Sequence, residues 1–231
     1  MKINYCLPII KNSKKEILDT ITKYRNEYQY IEVWLNPIKD LDNQFINKIT
    51  YMLQDKLIIL FSRGKKMQNN NLHERKLSLL DLLDGEKSFL DLDISEEDEL
   101  TYLRKKQLKI RTIISYHNYK ETPVNLSEII KEIDIYHPTI YKIATMCENE
   151  TDALKLLLLQ QNLRTQNKKH IVLGMGEFGT ITRVYATLWG NELIYAPKLS
   201  SDQSALGQLT KNQLENIFKQ LNSKHEIRNS K

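Results

Sequence analysis

Short apolar runs alternate with longer amphipathic stretches along the whole chain. The runs at 3–7, 30–35, 57–61, 89–94, 109–115, 140–144, 170–175 and 193–195 have the length and the Ile, Leu, Val and Tyr content of strands. Between them, 14–28, 42–54, 72–83, 95–106, 126–134, 150–164 and 210–221 carry apolar residues at helical spacing. In the first of these Ile17, Leu18, Ile21 and Tyr24 share a face, and Ser13 with Glu16 has the spacing of a capping box. Asn149 or Thr151 is placed to cap the stretch that follows. Strands alternating with helices predict parallel βα units. Eight such units in 231 residues predict an α/β fold, a (β/α)8 TIM barrel, somewhat below the ~250 residues usual for it. An open doubly wound sheet is the alternative. No repeat and no Pro/Gly/Ser linker divides the chain, so 1–231 is expected to be a single domain with a frayed polar tail at 223–231.

Composition narrows the function classes. With 41% hydrophobic and 27% charged residues the chain is that of a folded protein. Lys+Arg 34 against Asp+Glu 29 gives a net charge of +5, a mild lean toward anionic partners. The 12 tyrosines lack the basic interleaving of a nucleic-acid platform, so a small anionic metabolite is expected and nucleic acid is not. Cys6 and Cys147 are far apart and the histidines have no ligand spacing, so no metal is expected. No run approaches a membrane span or a signal-peptide core, which makes the cytoplasm the expected location.

In a barrel, chemistry sits at the carboxyl ends of the strands. Ionisable residues recur there: Glu32, Arg63, Asp91, Asp93, His117, Lys142 and, after the seventh strand, Arg183. Lys142 lies inside the apolar run 140–146, where desolvation favours the neutral, nucleophilic amine. The blander reading is a lysine that snorkels to water. His117 has the titration range of a proton shuttle, against the alternative of a simply hydrogen-bonded histidine. Arg63 and Arg183 match the fork geometry of a carboxylate ligand. Gly174-Met175-Gly176-Glu177-Phe178-Gly179 fits GxGxxG, but a dinucleotide site needs that motif in the first βα unit. A glycine-rich seventh loop that admits substrate to backbone amides is the expectation instead. Ser204-Ala205-Leu206-Gly207-Gln208 reads as a turn after the last strand.

Taken together these stretches resemble type I 3-dehydroquinate dehydratase, the Schiff-base-forming barrel enzyme of the shikimate pathway. Tyr141-Lys142-Ile143-Ala144-Thr145-Met146 is similar to the family's lysine strand, and 115–123 to its S-x-H-x-F-x-x-T-P stretch. The segment 174–183 resembles its MG-x-x-G…S-R segment, and 204–208 its SAPGQ loop with leucine for proline. The resemblance implies that Lys142 forms an imine with the substrate ketone and that His117 removes the adjacent proton and then protonates the departing hydroxyl. It implies substrate contacts from Glu32, Arg63, Arg183, Ser204 and Gln208, no cofactor, a homodimer, and, since the chain ends soon after the last helix, no fused shikimate dehydrogenase. A Schiff-base aldolase or transaldolase on a sugar phosphate, or an impaired barrel that binds an anionic ligand, are the alternatives. Trp34 and Asn36 stand where the pattern has arginine and aspartate, Met67 where it has the glutamate that orients the histidine, and Asp93 where it has glutamate.

Overall fold

The computed structural model describes residues 3–61, 70–85 and 87–229, with backbone alone at 70–73, 75 and 222–229. Arg63 and Met67 therefore lie outside the described residues. The elements alternate as β1 (Tyr5–Ile9), α1 (Lys14–Tyr24), β2 (Tyr30–Trp34), α2 (Asn43–Leu53), β3 (Leu57–Leu60), α3 (Asn70–Leu82), β4 (Phe89–Asp93) and α4 (Glu97–Lys106). They continue as β5 (Arg111–Asn118), α5 (Leu126–Asp134), β6 (Ile140–Met146), α6 (Glu150–Thr165), β7 (His170–Met175), α7 (Gly176–Leu188), β8 (Ile194–Tyr195) and α8 (Lys211–Asn229).

All neighbouring strands pair in parallel, in the order β7-β6-β5-β4-β3-β2-β1-β8. The seam between β7 and β8 is bridged by other means. The Glu192 amide donates to the His170 carbonyl at 2.8 Å. The Asn191 side chain accepts from Val172 N at 3.0 Å and donates to Val172 O at 2.9 Å, so one carboxamide copies a ladder rung. The expected (β/α)8 barrel is what forms.

Local chemistry explains most boundaries. Ser13 Oγ accepts from Glu16 N at 3.3 Å and donates to Glu16 Oε2 at 2.7 Å, and Asn149 caps α6 by accepting from Asp152 N at 3.1 Å. The first helix stops at Tyr24 rather than 28, because Gln29 must pair with the Tyr5 backbone to start β2. The fifth strand runs on through Asn118, pairing with Thr145, so His117 stands on the strand itself. The seventh helix is a correction: the glycine-rich stretch after β7 is no loop but the first turn of α7.

Period-two alternation divides the apolar residues into two cores. The larger lies between strands and helices and includes Ile17, Ile21, Leu57, Ile143 and Leu156. Each such side chain contributes about 1.5–3 kcal/mol. The smaller fills the barrel interior with Cys6, Ile58, Phe89, Ile113, Ile140 and Ile171. That inner plug is the floor on which the site stands.

Candidate active site

Because alternate residues of a strand share a face, the inward residues above the plug can be read off two by two. Above Phe89 come Asp91 and Asp93; above Ile113 come Ser115 and His117; above Ile140 comes Lys142; and β2 contributes Glu32. Register places Ser115 beside both Asp93 and Lys142. Four strands thus aim polar groups at one volume.

Lys142 is 1% exposed, so the snorkelling reading fails. Its ammonium donates to Asp91, to the Tyr195 hydroxyl at 2.9 Å and to Glu32 Oε1 at 3.5 Å, and sits 4.6 Å from the Tyr195 ring centre. Glu32 also accepts from Trp34 Nε1 at 2.7 Å. A buried ammonium survives only with such partners, and these carboxylates supply them. Cys6, wholly buried beneath them, has its thiol pushed well up by burial and by Glu32.

His117 Nδ1 lies 2.8 Å from Asp93 Oδ2, and its ring stacks on Tyr119 with centres 6.0 Å apart. Burial opposes ionisation of Asp93, but His117 and the donors of Ser95 outweigh it and hold the carboxyl below its ordinary range.

Arg183 comes from the interior of α7 rather than from a loop end, and it is 2% exposed. Its Nη2 donates to the Leu206 carbonyl at 3.3 Å, and its Nε has no hydrogen-bond partner among the described residues. Burial pushes its guanidinium down to about 10, with Cys147 opposing, so it stays charged at neutral pH. A buried cation with an orphan donor is suited to an anionic ligand. Gln208 Oε1 accepts from Ser204 N at 2.7 Å and Ser204 Oγ at 3.3 Å, which folds the turn after β8 back over Arg183.

His117, Lys142, Arg183, Tyr195, Ser204 and Gln208 line one cleft holding about 20 Å³ of space for water, room for about one molecule. A larger hollow of about 270 Å³, lined by α4, β5 and the turn at Ile135, Tyr136 and His137, contains no residue of this cluster.

The structure therefore brings together Lys142, His117, Glu32, Arg183, Ser204 and Gln208, while Arg63 lies outside the described residues. Sequence reasoning noted Asp91 and Asp93 but left them out of the site, and it passed over Tyr195. The Asp-Leu-Asp alternation of β4, which puts both carboxylates on one face, was the available signal. For Tyr195 the sequence offered none.

Eight parallel βα units with ionisable groups gathered at the carboxyl ends of the strands define a (β/α)8-barrel enzyme. The chain belongs to the type I 3-dehydroquinase family, whose model matches residues 5–225. It is 28% identical over 225 residues to the 3-dehydroquinate dehydratase of Methanocaldococcus jannaschii, covering 95% of this chain and 99% of that one. It is 30% identical over 152 residues to that of Dehalococcoides mccartyi, covering 64% of this chain and 68% of that one. The crystal structure of 3-dehydroquinate dehydratase from Geobacillus kaustophilus superposes with a TM-score of 0.77 at 17% identity, over 96% of this chain and 92% of that one. The resemblance read from the motifs is borne out. Among the described residues no helix is long and apolar enough to cross a membrane.

Proposed function

We propose that this chain dehydrates 3-dehydroquinate to 3-dehydroshikimate through an imine on Lys142. The observation that carries the reading is the buried Lys142 ammonium among Asp91, Glu32 and Tyr195, in a family whose members are 3-dehydroquinases. The ammonium first passes a proton to one of the acceptors it touches, and the neutral amine adds to the ketone and expels water. The resulting iminium draws electrons from the neighbouring carbon. His117 takes the proton released there, and the enamine expels the adjacent hydroxyl, which His117 protonates as it leaves. Hydrolysis returns the lysine and consumes the water released at the start, so the net product is one water. Arg183 faces the substrate carboxylate, Ser204, Gln208 and Glu32 its hydroxyls, and Arg63 is assigned to the same pocket on the family pattern alone.

The product is a conjugated enone, so its ultraviolet absorbance follows turnover. The wild-type protein is expected to produce it, His117→Ala to do so at least 10²-fold more slowly, and Lys142→Ala not at all. A wild-type protein that binds dehydroquinate without forming enone is a binding barrel, and full activity in Lys142→Ala removes the imine.

A further inference from the structure

We propose that Asp93 is the positioning residue for His117, replacing the carboxylate that the family pattern puts where this chain has Met67. The inference rests on the reading of His117 as the proton-transfer group. A thioether is at best a weak acceptor, so position 67 offers no carboxylate to an imidazole. Asp93 does, from the neighbouring strand: its Oδ2 lies 2.8 Å from His117 Nδ1.

The carboxylate is itself held. Its Oδ1 accepts from the Ser95 amide at 3.0 Å and from the Ser95 hydroxyl at 2.6 Å. Its own amide donates to Glu96 Oε2 at 3.3 Å, and Glu96 Oε1 is 2.6 Å from Lys76 Nζ on α3. Asp93 is 7% exposed, and these bonds fix which oxygen faces which partner. An ionised carboxylate can only accept, so Nδ1 donates, and the neutral ring keeps the Nε2 lone pair for the cleft that His117 lines. The glutamate lost at 67 and the glutamate shortened to Asp93 then belong to one rearrangement.

The Ser95 amide makes the claim testable, because a backbone N–H can only donate. In Asp93→Asn the side-chain oxygen stays on Ser95 and the NH2 turns toward the imidazole. A donor facing Nδ1 selects the other tautomer, with the proton on Nε2 and no base toward substrate.

Nitrogen-15 NMR of histidine-labelled protein, recorded where the ring is neutral, reads the tautomer without reference to activity. Wild-type His117 is expected to carry its proton on Nδ1. Asp93→Asn is expected to move it to Nε2 and to lower kcat by roughly 10³- to 10⁴-fold, with KM changed far less. Borohydride should still trap substrate on Lys142 in that variant. Asp93→Glu, which keeps an acceptor, is expected to restore the Nδ1 proton and bring kcat back to within about tenfold. A wild-type Nε2–H tautomer, or an Asp93→Asn enzyme within about twofold of wild type, overturns the assignment. Absence of a trapped adduct in the wild type overturns the imine reading instead, and the wild-type tautomer then decides Asp93 by itself.

Discussion

Lys142 is held where a lysine is costly to keep, and the groups that make it tolerable are those that chemistry at the amine needs. Asp91 and Glu32 offset the desolvation of the ammonium, and Tyr195 adds a hydroxyl and a ring face. Lys142→Ala removes the cation these carboxylates face. The expected loss of folding stability is about 3 kcal/mol near neutral pH. Thermal unfolding of the variant beside wild type measures this, and equal stability contradicts it. The run around Lys142 made its burial legible in the sequence; what surrounds it was not, because Asp91, Glu32 and Tyr195 come from three other strands. Trp34, which stands where the family pattern has arginine, gives Glu32 an indole donor.

At the scale of elements, β7 and α7 meet backbone to backbone. A Cβ on Gly174 would stand 2.6 Å from both Gly179 Cα and Cys147 Sγ. The Thr182 hydroxyl accepts from Gly174 N at 2.7 Å and donates to Gly179 O at 2.6 Å, tying the first turn of α7 to the strand. Gly174→Ala is therefore expected to cost about 3 kcal/mol in urea unfolding, and to weaken the site because α7 carries Arg183. A variant as stable as wild type contradicts this close approach. The same glycines explain why α7 was illegible. Three glycines in six residues read as a loop by propensity, whereas Gly174 lies in β7 and Gly176 and Gly179 in α7, where the Gly176 amide donates to the distant Leu206 carbonyl at 3.3 Å. The other helices were legible in their periodicity, and α5 runs over the residues it was expected to cover.

At the scale of the molecule, closure of the barrel depends on one side chain more than the alternation of strands discloses. Asn191 partners both the N–H and the C=O of Val172 at the seam beside the two-residue strand β8. Asn191→Ala leaves a buried N–H and C=O to find other partners, and about 2 kcal/mol or more of stability is expected to go with them. Hydrogen exchange at Val172 checks this, and protection equal to wild type contradicts it. The barrel then serves one end: it brings a lysine, a histidine and an arginine from distant parts of the chain into a single cleft. The claim that this cleft makes an imine is tested most directly by adding 3-dehydroquinate and sodium borohydride to the wild-type protein and mapping the mass change by peptide. A substrate-derived adduct on Lys142 alone is the expected result; no adduct, or one on another lysine, contradicts the account.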